Sequence, residues 1–212
     1  MKVLLFGASG NIGSAIAQEL LMRGHTVTGA SRSGELRGDL PIAMTKCDAT
    51  SADQVALAAA GHDAIVSAVG PLHGVDHDEE TFVGAAHGLI EGARQANVVR
   101  LIVVGGAGSL EVSPGVRLVD TPEFLDMWKP NAFAQALALD VYRNAIDVEW
   151  TYVSPAALIG PGERTGHYRI GGDQLLVDAD GTSRISYGDY AAGLVDELEQ
   201  GNNKGRRITI AY

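Results

Sequence analysis

The feature of the sequence that most constrains its fold is a glycine-rich turn near the start of the chain. Residues 7–13 (GASGNIG) follow an apolar run at residues 3–6 and precede a segment whose apolar residues recur at helical spacing. Glycines allow a tight turn and let a pyrophosphate approach the backbone, while the helix N-terminus supplies free N–H groups and a positive dipole end. Because a strand precedes the turn and a helix follows it, we interpret it as a dinucleotide-binding motif, the alternative being a tight turn of another doubly wound protein. We assign cofactor contacts to Gly7, Ser9, Gly10, Asn11, Ile12 and Gly13.

Strand-like and helical segments alternate along the rest of the chain. The predicted strands are residues 3–6, 26–30, 42–47, 64–69, 101–104, 150–153 and 207–211. The predicted helices are one that ends at Gly24 and those at residues 52–60, 79–97, 131–145 and 187–198, with a Gly- and Arg-rich loop at residues 160–172. This alternation predicts an α/β fold with a doubly wound, mostly parallel sheet covered by helices. A length of 212 residues suits a single domain.

Composition narrows the function classes. The 16 basic residues against 26 acidic ones give a net charge of −10, which disfavours a nucleic-acid partner. The single cysteine, Cys47, excludes an intrachain disulfide and favours a reducing compartment. The apolar N-terminal run ends at Gly7, too early for a signal peptide, and no stretch approaches the roughly 18 apolar residues of a membrane span. We expect a cytoplasmic protein with no nucleic-acid or membrane partner, while the pattern leaves the oligomeric state open.

The end of the second predicted strand indicates which dinucleotide binds. An acidic residue at this point would bind the ribose 2′-hydroxyl of NAD(H), but this chain has a serine–arginine–serine sequence centred on Arg32. Arg32 offers a planar cation to a 2′-phosphate, so we predict NADP(H) over NAD(H), the alternative being an exposed loop arginine. Asp48 is a candidate acceptor for the adenine amino group, or else a loop carboxylate. We expect the cofactor to cross the sheet edge past Ala68, Val69 and Gly70.

Several segments together point to a known family. They are residues 7–13, Arg32, and residues 101–109, 150–155, 161–169 and 185–191. With these segments the chain resembles the short-chain dehydrogenase/reductase superfamily, in its atypical NAD(P)-binding branch. It looks most like the NADH-flavin reductase group related to biliverdin reductase B and to NmrA-type proteins. The glycine motif is common to the superfamily, whereas the PGERTG sequence at residues 161–166 is much more specific to the subgroup.

The resemblance implies a Rossmann-type domain over residues 1–212, with a small C-terminal substrate region at about residues 155–185. It implies reduction linked to NAD(P)H, with a flavin or another small electron acceptor as the substrate rather than a prosthetic group. It also implies that Ser109, after the fifth strand, lies near the nicotinamide, and that Pro155 flanks the nicotinamide half of the site.

The chain departs from the superfamily at its acid–base pair, a Tyr followed four residues later by a Lys on a helix. None of the six tyrosines is followed by a lysine at this spacing. Alignment with the family that the chain resembles places Asn131 and Gln135 at the corresponding helix positions. A ketone reductase needs a proton donor as the hydride arrives, whereas an oxidised flavin delocalises the added charge. We therefore expect hydride transfer to a flavin or a similar planar acceptor without a Tyr–Lys relay. The alternatives are a non-catalytic NADP(H)-binding redox sensor of NmrA type and, less favoured, an isomerase.

Three further side chains are candidates for catalysis. Ser109 is a candidate hydrogen-bond donor to the substrate, or else a turn serine. His73, like His77 in the same loop, is a candidate proton donor, although a solvated loop is the favoured interpretation, and we assign no metal site. Tyr168 is a candidate for stacking on a flat acceptor, within a lid formed by the Gly- and Arg-rich loop at residues 160–172. The alternative for that segment is a structural hairpin whose arginines pair with acids such as Asp173.

Overall fold

The computed structural model of the protein describes residues 1–70 and 78–212. Its strands, in chain order, are β1 (Lys2–Phe6), β2 (Thr26–Ser31), β3 (Ala43–Lys46), β4 (Ala64–Ser67), β5 (Arg100–Val104), β6 (Glu111–Ser113), β7 (Val116–Arg117), β8 (Glu149–Pro155), β9 (Leu158–Gly160), β10 (Arg169–Gly171), β11 (Arg184–Ser186) and β12 (Arg206–Ala211). Its α-helices are α1 (Asn11–Met22), α2 (Ala52–Ala59), α3 (Asp78–Gln95), α4 (Lys129–Arg143) and α5 (Tyr187–Gln200). Two 3₁₀ turns, Leu118–Asp120 and Asp126–Trp128, lead into α4.

Eight strands form one central sheet in the order β10-β12-β8-β5-β4-β1-β2-β3. All neighbouring strands are parallel except β10, which runs antiparallel to β12. The predicted doubly wound, mostly parallel α/β fold is thereby confirmed. The strand order reverses between β1 and β4, and a crevice opens at the carboxyl ends of the strands where such a reversal occurs.

Both faces of the sheet are covered. Leu4 and Phe6 of β1 pack into a core shared with α2, α3 and α4, while Val3 and Leu5 pack into a second core shared with α1 and α5. Because β1 is buried on both faces, its sequence is a continuous apolar run rather than an alternating one. Among the described residues, no helix combines the length and apolarity that crossing a bilayer requires.

The segment at residues 160–172 differs from the loop that the sequence predicts. Its last part forms β10, which pairs with the final three residues of β12, and its first residue ends β9, which pairs in parallel with β11. A short hairpin of β6 and β7 was also not predicted. These strands have only two or three residues each, so no periodicity marks them. The strands β9 and β10 also pair with partners distant in sequence, unlike the local hairpin of β6 and β7.

Candidate active site

Two glycines of the N-terminal turn occupy positions that exclude a side chain. Gly7 has a φ of +79°, and a Cβ there would lie 2.3 Å from the carbonyl oxygen of Ala68. A Cβ at Gly13 would lie 2.0 Å from the carbonyl oxygen of Gly7. Gly10 is the N-cap of α1, so the first N–H groups of this helix have no intrahelical acceptor. The turn therefore leaves backbone donors available at the positive end of a helix dipole.

A first cleft, of about 410 Å³, opens beside this turn between the ends of β1, β2 and β3 and the start of α3. The structure brings five of the predicted cofactor residues together on its walls, namely Gly7, Arg32, Asp48, Val69 and Gly70. Ala68 lies next to them, where its N–H donates to the carbonyl oxygen of Phe6. The sites predicted separately at the ends of four strands therefore form one continuous surface.

The charged residues that line the first cleft are one arginine, Arg32, and two acids, Asp48 and Glu80. Arg32 is exposed and forms no hydrogen bond or ion pair with any residue that the structure describes. The backbone N–H of Arg37 donates to Oγ of Ser9 at 3.0 Å, which holds a second arginine beside the glycine turn. Arg37 was not predicted from the sequence. Its position five residues after Arg32, in the same loop between β2 and β3, could have indicated a second cation near the cofactor site. Asp48 Oδ1 accepts from N and Oγ1 of Thr50, at 3.0 and 2.9 Å.

The single cysteine also lines the first cleft but is not a reactive group. Cys47 is 1% exposed, and its burial, together with the nearby carboxylate of Asp48, raises the pKa of the thiol to about 11. The thiol is therefore neutral at physiological pH and packs as a small apolar side chain.

A second cleft, of about 1020 Å³, lies beyond the glycine turn along the same edge of the sheet. Its floor is the backbone after β5, at residues 105–108, and it reaches the first turn of α1 at Ile12. Pro155, the remaining predicted cofactor residue, lines it at the end of β8. Three aromatic side chains contribute to the walls, namely Phe124, Trp128 and Tyr212. The second cleft is thus wide enough and apolar enough for a flat ring system.

Comparisons with known proteins agree with this geometry. The model of the NAD(P)H-binding family matches residues 7–200. The chain belongs to the NAD(P)H-binding family. It is 39% identical to the protein YwnB of Bacillus subtilis, over 99% of this chain and 98% of that protein.

Two solved structures are similar over all of this chain. One, a candidate exported protein of Burkholderia pseudomallei, is 45% identical, with 100% of that chain covered and a TM-score of 0.91. The other, a candidate NADH-flavin reductase of Streptococcus pneumoniae, is 36% identical, with 99% of that chain covered and a TM-score of 0.87.

The residues present fit the dinucleotide that this NAD(P)H-binding family binds. A pyrophosphate binds free backbone N–H groups at a helix N-terminus, and the first N–H groups of α1, which follow its N-cap Gly10, have no intrahelical acceptor. The first cleft adjoins the turn on one side through Gly7, and the second adjoins it on the other through Ile12. The turn therefore links two clefts, as a ligand with two nucleotide halves requires.

Asn131 and Gln135 both line the second cleft, one turn apart on α4. Nε2 of Gln135 donates to Oδ1 of Asn131 at 2.6 Å. The family resemblance had placed these two residues at the positions of the superfamily's acid–base pair. A carboxamide donates and accepts hydrogen bonds but does not titrate near neutral pH, so this pair can orient a substrate but cannot protonate it.

Two of the three candidate catalytic residues, Ser109 and Tyr168, are described by the structure, and neither is among the residues that line the second cleft. Oγ of Ser109 accepts a hydrogen bond from Nη1 of Arg207 at 2.8 Å. Tyr168 packs against α5, where its hydroxyl donates to Asp196, and burial raises its pKa well above the ordinary value. His73, like His77, lies outside the described residues. Tyr168 lines a separate, open depression with Thr165 and Tyr212, and the catalytic roles of Ser109, Tyr168 and His73 stay predictions.

An ion pair connects the segment at residues 161–169 to helix α1. Arg164 forms a bidentate ion pair with Glu19 of α1, at 2.7 and 2.8 Å, and Glu19 is 2% exposed. Burial alone would raise the pKa of Glu19, but the hydrogen bonds from Arg164 and Arg23 outweigh it and hold the pKa below its ordinary value. Arg164 thus pairs with an acid, as the hairpin interpretation expects, although Asp173 itself pairs with Arg207.

A buried carboxylate anchors the same segment from the other side. Asp189, at the start of α5, is fully buried and accepts from the N–H groups of Thr165 and Gly166, at 3.1 and 2.6 Å. It also accepts from the hydroxyl of Tyr212 at 2.7 Å. Burial opposes the charge, but these hydrogen bonds keep the pKa of Asp189 below its ordinary value. One wall of the second cleft is therefore held rigidly in place.

Proposed function

We propose that the protein is an NADPH-dependent reductase that transfers a hydride to a flavin or a similar planar acceptor. The observation that carries the proposal is the second cleft. It adjoins the dinucleotide turn, has aromatic walls, and presents the Asn131–Gln135 carboxamides where a reductase of alcohols and ketones would have its proton donor. An acceptor whose reduced form delocalises charge does not require such a donor. The similarity to a candidate NADH-flavin reductase supports the same class of acceptor.

The chain's own part in this reaction is positioning. When bound, the reduced nicotinamide supplies the hydride. The N–H groups at the start of α1 hold the pyrophosphate, and the backbone at residues 105–108 forms the floor against which the acceptor lies. The aromatic side chains exclude water and keep the acceptor flat, which holds the reacting atoms at the right distance.

We further propose that NADP(H) is preferred over NAD(H). Arg32 is exposed on the wall of the first cleft, and Arg37 is exposed near the glycine turn, where its backbone N–H donates to Ser9; neither side chain has a partner among the described residues. In a protein of net charge −10, two unpaired guanidinium groups at this point favour a 2′-phosphate. The NAD-type acidic residue is absent from the end of β2, whose last residue is Ser31.

The test of the proposed function uses the pure protein in two steps. NADPH and NADH binding is measured by fluorescence, and NADPH oxidation is then followed with added FMN. Tight NADPH binding with saturable, FMN-dependent oxidation is the expected result. Tight binding without turnover on flavins, quinones and aldehydes would refute the reductase and favour the redox sensor. Failure to bind either dinucleotide would refute the role of the glycine turn.

The cytoplasm remains the proposed location. The buried, neutral Cys47 supports it, since the chain has no second cysteine for a disulfide. The similar protein of Burkholderia pseudomallei is a candidate exported protein, so the location needs a direct test. Cell fractionation with an antibody to the protein is expected to find it with cytoplasmic markers, and recovery outside the cytoplasm would refute the proposal.

A further inference from the structure

The side chain of Gln135 is held at a fixed orientation on the wall of the second cleft. Its Nε2 donates to Oδ1 of Asn131, and its backbone carbonyl accepts from the hydroxyl of Tyr152 at 3.0 Å. A Cβ at Gly106 would lie 2.7 Å from Oε1 of Gln135, so this glycine makes the space that the carboxamide occupies. The backbone and the carboxamide of Gln135 are therefore each held by a hydrogen bond, and a side chain at position 106 would displace the carboxamide.

The hydrogen-bonding capacity of this pair is only partly used. Within residues 1–70 and 78–212, Oε1 of Gln135 accepts no hydrogen bond, and its Nε2 makes only the bond to Asn131. Nδ2 of Asn131 is buried and has no partner among the same residues. Buried polar atoms are normally paired, so the unpaired Nδ2 of Asn131 indicates a site that a ligand completes, and the carboxamide of Gln135 faces the same cleft. Gln135 offers that ligand an acceptor and a donor side by side.

We propose that Gln135, positioned by Asn131, recognises an acceptor through an amide or imide edge, in which a ring N–H stands next to a ring carbonyl. The inference rests on the proposed function and specifies its substrate class. A carboxamide pairs with such an edge through two parallel hydrogen bonds. The pyrimidine ring of a flavin carries this edge next to the nitrogen that receives the hydride, whereas a quinone has carbonyls but no ring N–H.

The electron and proton balance agrees with a carboxamide at this position. The acceptor gains two electrons and one hydrogen as a hydride, the C–H bond of the reduced nicotinamide breaks, and a new N–H bond forms on the flavin. Any further proton comes from solvent, because a carboxamide does not titrate near neutral pH. Gln135 therefore acts as a specificity-determining residue and Asn131 as a positioning residue.

The experiment compares three acceptors with the intact protein: lumiflavin, 3-methyllumiflavin and menadione. Methylation at N3 removes the ring N–H, and menadione lacks the edge altogether. Wild-type kcat/KM is expected to be at least tenfold higher for lumiflavin than for 3-methyllumiflavin. Gln135→Leu loses two neutral hydrogen bonds and is expected to lower kcat/KM for lumiflavin about 5- to 100-fold, and to lower kcat/KM for menadione by a smaller factor because menadione lacks the edge.

Two further variants separate recognition from a general structural effect. Asn131→Ala keeps Gln135 but frees its orientation, so the ratio of kcat/KM for lumiflavin over 3-methyllumiflavin is expected to fall. Leu137→Ala changes an exposed residue of the same helix, 46% accessible, and is expected to leave that ratio unchanged. Quenching of lumiflavin fluorescence measures binding of the oxidised acceptor without turnover. Its Kd is expected to rise for Gln135→Leu and Asn131→Ala and to stay unchanged for Leu137→Ala.

The outcomes distinguish the inference from the proposed function. If NADPH is oxidised with all three acceptors but neither N3 methylation nor Gln135→Leu changes the lumiflavin values, the inference is overturned while the reductase stands. An equal loss on lumiflavin and menadione would also overturn it, because it would indicate a structural effect. If wild-type protein oxidises NADPH with none of the three, the proposed reductase is refuted, and the fluorescence titration alone decides whether the edge is recognised.

Discussion

Replacing Arg32 with alanine is expected to weaken NADPH binding and to leave NADH binding almost unchanged. Arg32 lines the first cleft, is exposed, and is not engaged by any described residue. Removing it breaks no hydrogen bond or ion pair among the described residues, so the main interaction expected to be lost is the proposed one with the 2′-phosphate. NADH has a hydroxyl at that position, so it has no charge for the guanidinium to pair with.

The size of the effect follows from the exposure of Arg32. A charge-assisted hydrogen bond contributes about 1.5–3 kcal/mol when it is desolvated. An exposed pair is screened by water, which reduces the expected loss to about 1–2 kcal/mol, or about 5- to 30-fold in Kd. Raising the salt concentration from 0.1 M to 1 M shortens the screening length from about 10 Å to about 3 Å, so the wild-type preference for NADPH is expected to narrow.

The assay is a titration of NADPH and NADH fluorescence against both proteins, at two salt concentrations. Arg206→Ala is the matched control. Arg206 is an exposed arginine at the first position of β12, so its replacement by alanine removes the same charge as Arg32→Ala. An equal loss of affinity for the two dinucleotides, or a similar loss in the control, would refute the reasoning that Arg32 binds the 2′-phosphate.

Three further predictions test the turn, the ion pair and the cysteine. Gly13→Ala would place a Cβ 2.0 Å from the carbonyl oxygen of Gly7, so NADPH affinity is expected to fall more than tenfold and Tm to drop in scanning fluorimetry; unchanged values would contradict the steric argument. Arg164→Met leaves buried Glu19 with one arginine partner, and urea unfolding at pH 7 is expected to lose about 1–2 kcal/mol. Because the pKa of Glu19 is lowered in the folded state, the ion pair stabilises the fold above the ordinary pKa of glutamate and loses this effect as pH falls below about 4.5. The difference in unfolding free energy between variant and wild type should therefore shrink at low pH. A difference that stays constant with pH would contradict the role of the ion pair. Cys47, with its raised thiol pKa, is expected to react with a thiol reagent at pH 8 more than tenfold faster in urea than in the native protein, and rapid native labelling would contradict its burial.

The first half of the fold could be predicted because its signals are local. The apolar run of β1, the glycine turn and the apolar spacing of α1 lie within the first 22 residues, and each follows from neighbours in sequence. Gly24 has a φ of +79°, as expected of a glycine just beyond a helix. The convergence of Arg32 and Asp48 on one cleft follows in turn from the parallel order of β2 and β3.

The second half was less predictable because its contacts are distant in sequence. Ser109 is held by Arg207, 98 residues away, and Tyr168 by Asp196, 28 residues away. Nothing near either residue indicates that its hydroxyl is already engaged. The Asn131–Gln135 bond, by contrast, joins residues four apart on a helix, a spacing that brings side chains into contact.

The short strand β10 also bears on how the sheet is kept from growing. A parallel sheet that ends in an open, apolar strand invites another chain to add to it, and β12 carries the buried Ile208 and Ile210. The three residues of β10 cover the last three residues of β12. The uncovered half of β12 begins with Arg206 and Arg207, and charged residues on an edge discourage strand addition. At the opposite edge, β3 has only four residues and ends in a lysine. Both edges of the sheet are thus protected against the addition of a strand from another chain. If β10 detached, it would expose β12, which is the more apolar of the two edge strands.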